Sequence, residues 1–112
     1  LIVIVDRNAI QIDGYTKDVM PLEPLYEKWA AFNFDVQEVD GHNIRAVNDA
    51  IGKAQAVYGQ PSLIIAHTIP GKGVKEIEFD YKWHGKPPTK EEAARFLKEL
   101  RTASGRVNGE YS

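Results

Sequence analysis

Cysteine is absent from the 112 residues, which excludes a disulfide scaffold, a thiolate-held metal and a cysteine nucleophile. Basic clusters are absent as well. Lys and Arg number 14 against 16 Asp and Glu, a net charge of −2, so the chain carries no electrostatic footprint for nucleic acid or an anionic membrane. No apolar run approaches the roughly 20 residues that span a bilayer. The opening run Leu1–Val5 stops at Asp6-Arg7-Asn8 and is too short for a signal peptide. The 3 histidines lack any zinc-ligand spacing, nothing resembles a nucleophile elbow, and no G-x-G-x-x-G follows the first strand, which removes a nicotinamide-binding reading. What remains, 43% hydrophobic and 27% charged, describes one globular domain or part of one, with a cytoplasmic location expected.

The apolar residues present are arranged with two alternating periods. Leu1–Val5 is a continuous branched run without alternation, the pattern of a strand buried on both faces of a parallel sheet. Leu22, Leu25, Trp29 and Phe32 recur at spacings of three and four and predict a helix over Pro21–Phe32, with Pro24 in its first turn. Phe34–Val39 reads as a short strand, and Asp40-Gly41-His42-Asn43 as a turn whose Asn43 caps the next helix. Ile44, Val47, Ile51, Ala54 and Val57 or Tyr58 mark that helix, which Gly59 and Pro61 end. Ser62–Thr68 is a further buried strand, broken by Pro70-Gly71-Lys72-Gly73. Val74–Pro88 has no period and carries Phe79, Tyr81 and Trp83, the mark of a functional or partner-facing loop. Thr89 with Glu92 forms a capping box for a last helix, Lys90–Ala103, with residues 104–112 expected as a tail or linker.

The order β-α-β-α-β-loop-α predicts an α/β fold: a parallel sheet with helices on both faces. The chain opens without Met inside an apolar strand, so we expect a partial domain whose sheet edges and apolar faces require neighbours.

In open α/β sheets ligands bind beyond the carboxyl ends of the strands. Asn8 stands there after the first strand. Its amide oxygen, joined by a backbone carbonyl, suits Mg²⁺ or Ca²⁺; the bland reading is a residue that closes a turn. Gly71-Lys72-Gly73 offers close backbone approach to a phosphate with a lysine counter-charge, or simply a flexible strand exit. His42 is expected to hydrogen-bond its turn, and His67 belongs to either core or cleft. His84, between Trp83 and Gly85, is the best candidate for a working imidazole, against a histidine packed among the loop's aromatics.

Taken together, the strings Leu1–Gly14 (with Asp6-Arg7-Asn8-Ala9-Ile10-Gln11-Ile12-Asp13-Gly14), Pro21–Leu25, Glu38–His42, Ile65–Thr68, Gly71–Gly73 and Trp83–Pro87 resemble transketolases, in particular the N-terminal subunit of split transketolases. The resemblance spans Leu1–Leu100 and implies the C-terminal half of a thiamine-diphosphate-binding domain. It implies Asn8 and the carbonyl of Ile10 as ligands of Mg²⁺ (or Ca²⁺ or Mn²⁺), Ile12 as an apolar cofactor contact, Gly71 and Lys72 near the diphosphate, and His84 at the diphosphate and the substrate side, with a catalytic role. It implies transfer of a two-carbon ketol unit between sugar phosphates in a homo- or hetero-oligomer. The family's Gly-Asp-Gly triplet, expected one βα unit upstream of Leu1, and its pyrimidine-binding domain, usually on another subunit, would be partners of this segment, which alone is not expected to catalyse. A deoxyxylulose-phosphate synthase, a dehydrogenase first component and a non-catalytic assembly fragment are the other readings of the same strings.

Overall fold

In a computed structural model, the backbone is described for residues 1–110 and side-chain surroundings for residues 1–100. The elements run β1 (Ile2–Arg7), β2 (Ile10–Gln11), β3 (Gly14–Tyr15), α1 (Thr16–Val19), α2 (Leu25–Ala31), β4 (Asp35–Asp40), α3 (Ile44–Gln55), β5 (Ser62–His67), a 3-10 turn at Tyr81–Trp83, and α4 (Lys90–Glu110). They divide into two compact units: Leu1–Asn8 with Met20–Thr68, and Ala9–Val19 with the chain from Ile69 onward.

The first unit is the parallel sheet, in the order β1-β5-β4. Ile2 pairs with Ser62 and Asp35 with the same residue from the other side. β5 is therefore central, and its run Leu63-Ile64-Ile65 is wholly buried, as a strand covered on both faces requires. Because side chains alternate along a strand, Leu63 and Ile65 face Leu25 and Trp29 of α2 together with Val3, Val5 and Val36. Ile64 faces the other way, onto Ala50 and Ala54 of α3. The two-sided architecture expected from the alternation is present.

β1 departs from the expected double burial. Val3 and Val5 pack inward, while Ile2 and Ile4 on the opposite face are exposed, because β1 lies at the sheet's edge and the cluster of Ala50, Ala54 and Ile64 on that face does not include them. α2 is also shorter than its periodic stripe. Pro24 is extended at φ −76° and ψ 109° and precedes the helix as its N-cap position, so Leu22 lies outside it. α3 begins as expected, with Asn43 Oδ1 accepting the Ala46 N–H at 3.0 Å. Ile44 and Tyr58, however, are exposed, and the buried seam is formed by Ala50 and Ala54.

The second unit contains a hairpin that hydrophobic period did not reveal, since strands of 2 residues are too short to show one. Ile10 pairs with Tyr15 and Gln11 with Gly14 around the Ile12-Asp13 tip. The aromatic loop is ordered by edge-on ring pairs, Tyr15 on Tyr81 at 5.3 Å and Trp83 on Phe96 at 5.4 Å. The capping box forms: Thr89 N–H donates to Glu92 Oε2 at 2.8 Å and Glu92 N–H to Thr89 Oγ1 at 3.2 Å. α4 does not end at Ala103 but continues to Glu110, with Gly105 and Gly109 lowering helix propensity without breaking the ladder. The expected tail thus begins inside a helix, and its residues 111–112 lie outside the described residues.

Candidate functional site

In the first unit, the carboxyl ends of β1, β5 and β4 carry a set of short polar links. Thr68 Oγ1 donates to Asp6 Oδ1 at 2.5 Å, and the Thr68 N–H donates to the Arg7 carbonyl at 3.2 Å. Arg7 Nε donates to Glu23 Oε1 at 2.7 Å. Glu23 Oε2 accepts the Leu25 N–H at 3.0 Å, and that backbone hydrogen bond, with the Arg7 guanidinium behind it, holds the Glu23 carboxyl below its ordinary range. His67 is not in the core: it is exposed, with Nε2 3.1 Å from Glu38 Oε1. The turn after β4 is closed by the Asp40 side chain, whose Oδ1 accepts the His42 N–H at 2.9 Å. Asn8, half-buried, directly follows the tethered Arg7.

In the second unit, Ala9 stands at φ 65°, a left-handed conformation that costs a non-glycine residue roughly 1–2 kcal/mol. Its carbonyl accepts both the N–H and the hydroxyl of Thr16, at 3.0 and 3.3 Å. Ile10 follows, buried at 6% exposure, whereas Ile12 at the hairpin tip is 70% exposed, an apolar side chain turned to solvent in this chain. Sequence reasoning named the flanking Asn8 and Ile10 but gave no sign of the strained residue at Ala9, because alanine carries no left-handed signature.

The Gly71-Lys72-Gly73 stretch corrects one expectation. The Lys72 N–H donates to the Ile69 carbonyl at 3.1 Å and the Gly73 N–H to Glu78 Oε1 at 3.0 Å, so these two groups are committed within the loop rather than forming a phosphate cradle. Gly71 sits at φ 75°, and a Cβ there would meet Ile77 Cγ1 at 2.7 Å; its identity is dictated by loop closure. What the stretch offers an anion is the exposed Lys72 ammonium.

His84 leaves the 3-10 turn with its N–H on the Tyr81 carbonyl at 2.9 Å. Its neighbour Trp83 takes the packed position, with Lys86 Nζ 4.1 Å from the indole centroid. His84 itself is exposed, so the reading of a histidine packed among the aromatics does not hold. Among the described residues, no group of three or more His, Cys, Asp or Glu is placed to hold a metal. No helix among them is long and apolar enough to cross a membrane.

The two-sided parallel sheet agrees with comparisons to known proteins. Residues 1–106 match the profile of the transketolase thiamine diphosphate binding domain, and the chain belongs to that family. It is 44% identical over 91 residues to a 6-deoxy-6-sulfo-D-fructose transketolase subunit of Clostridium sp. (strain MSTE9), covering 81% of this chain and 33% of that one. It is 41% identical over 101 residues to an apulose-4-phosphate transketolase subunit of Actinobacillus succinogenes, covering 90% of this chain and 36% of the relative. The crystal structure of transketolase from Campylobacter jejuni superposes with a TM-score of 0.79 at 31% identity, over 94% of this chain and 16% of that one. The chain spans about a third of the length of the two curated relatives.

Proposed function

We propose that this chain contributes the diphosphate and metal side of a thiamine-diphosphate site in a transketolase-type transferase assembled from more than one polypeptide. The family match over residues 1–106 carries this reading, and the strained Asn8-Ala9-Ile10 turn supports its metal part, since such conformations persist where the surroundings enforce them for function. The donor chemistry fits. The Asn8 amide and the Ile10 carbonyl are hard, neutral oxygens suited to Mg²⁺, or Ca²⁺ or Mn²⁺, and they add no negative charge beside a diphosphate. Two such donors are part of a cation site; a carboxylate from the Gly-Asp-Gly segment of the family would add a third. Ile12 supplies apolar surface to the cofactor, and Lys72, beside Gly71, a compensating charge.

When bound, thiamine diphosphate supplies the carbanion-stabilising chemistry, and the protein's part is to bind, orient and exclude water. His84 would hold or move a proton at its imidazole on the diphosphate and substrate side, a task its two ring nitrogens suit, one donating while the other accepts. The reaction is transfer of a two-carbon ketol unit between sugar phosphates. The two relatives named for their sugars, a sulfofructose and an apulose phosphate, both act on anionic sugars by those names. A subunit carrying the pyrimidine-binding domain completes the site in an oligomer, and a reducing cytoplasm suits a chain without cysteine. The test is Asn8→Ala in the assembled enzyme, with thiamine diphosphate titrated at fixed Mg²⁺. Affinity should fall on the order of tenfold or more; unchanged affinity overturns the metal assignment.

A further inference from the structure

β1 is an edge strand, yet its last residues are tied from two directions. The ladder between β1 and β5 ends at Asp6 opposite Ala66 and Arg7 opposite His67. One residue beyond it, Thr68 binds twice: its N–H donates to the Arg7 carbonyl at 3.2 Å, and its hydroxyl to Asp6 Oδ1 at 2.5 Å, across 62 positions of sequence. The second of these is a short, charge-assisted bond. The Arg7 side chain is bound in turn to Glu23. Asn8 is the next residue along the chain, so the backbone that delivers its amide is fixed just before it departs from the sheet.

We propose that Thr68 is a positioning residue for Asn8, its hydroxyl on Asp6 holding the end of β1 so that the Asn8 amide is presented to the cation in one orientation. This rests on the metal reading of Asn8 given above. A ligand held by its supporting hydrogen bonds binds without first being ordered, and loss of such support is felt as a weaker metal site.

Thr68→Val removes the hydroxyl and keeps the branched shape, while Thr68→Ser keeps the hydroxyl and loses the methyl. In the assembled enzyme, three quantities are measured for each: the Mg²⁺ concentration that half-saturates thiamine diphosphate uptake, kcat with both saturating, and the unfolding midpoint of the cofactor-free protein. Thr68→Val should raise half-saturating Mg²⁺ about fivefold, the equivalent of one hydrogen bond, with saturated kcat unchanged; Thr68→Ser should remain within about twofold of the parent. If Thr68→Val fails to fold, Asp6→Asn, which keeps the shape and removes the charge on the acceptor, is read on the same scale. Wild-type Mg²⁺ dependence in Thr68→Val, or Thr68→Ser as weak as Thr68→Val, overturns the proposal. Asn8→Ala measured alongside separates the two readings: if it weakens Mg²⁺ while Thr68→Val does not, only the positioning role falls, and if it has no effect the metal reading falls with it.

Discussion

The Gly41 N–H donates to the His67 carbonyl at 2.8 Å, and the two backbones approach so closely that a Cβ on residue 41 would lie 3.0 Å from that oxygen and 2.6 Å from Thr68 Cγ2. The contact joins the carboxyl ends of β4 and β5, where the polar links of the first unit gather. Gly41→Ala must push these strand ends apart or displace Thr68. It should cost about 1–3 kcal/mol, the range for overpacking, read as a lower urea midpoint with an unchanged slope. An unaltered midpoint would show that the strand ends yield freely.

The centre of the sheet and its edge should respond differently to the same truncation. Ile64 is fully buried at 0% exposure against Ala50 and Ala54, while Ile4, its ladder partner on β1, is 50% exposed. Ile64→Ala should cost about 2–5 kcal/mol and Ile4→Ala well under half as much. Denaturant unfolding of both variants checks this. Equal losses would mean that Ile4 is covered, for instance by an assembled partner.

Glu23 gives acid sensitivity with a definite sign. Its folded pKa is lowered from 4.5, first by the Leu25 N–H and then by Arg7, so its contribution is complete above 4.5 and is lost as pH falls through the lower folded value. The effect is small, because the carboxylate is more than half exposed and screened by water. Comparing parent and Glu23→Gln by thermal unfolding from neutral to acid pH, the parent's advantage should shrink only below 4.5. A constant difference across that range would remove Glu23 from the acid response.

His84 should separate activity from folding. Its side chain is exposed, and surface substitutions usually fall within about 0.5 kcal/mol. His84→Ala should therefore leave the cofactor-free unfolding midpoint in place while lowering turnover of the assembled enzyme about a hundredfold, the lower range for lost proton transfer. Parent-like turnover would make His84 a bystander on the loop.

Much of this was legible from local pattern. The α/β alternation, the Asn43 cap and the Thr89–Glu92 box were all correct because each depends on residues within one or two turns of one another. Asn8, Gly71, Lys72 and His84 were singled out by residue type and place in the chain, Ile10 and Ile12 by family strings, and for all of them the sequence supplied identity without environment. It left Gly71-Lys72-Gly73 open between a phosphate-approaching loop and a flexible strand exit, and in the structure Glu78 and the Ile69 carbonyl occupy two of its N–H groups. It left His84 open between a working imidazole and a histidine packed among the loop's aromatics, because nothing local says which side chain of the loop is buried; in the structure Trp83 packs on Phe96 and His84 is exposed.

The sequence by itself determined the three strands of the parallel sheet, the approximate places of the three longer helices and where two of them begin, since hydrophobic period and capping bonds are short-range, but not the hairpin or α1. Only the tertiary structure decided that β5 is central and β1 an edge, that Ala9 is held left-handed by Thr16, and that His67 reaches Glu38. It also decided that Asp6 and Thr68, 62 residues apart, meet beside Asn8. These relationships arise when the sheet assembles and brings distant strand ends together, and no local period encodes them.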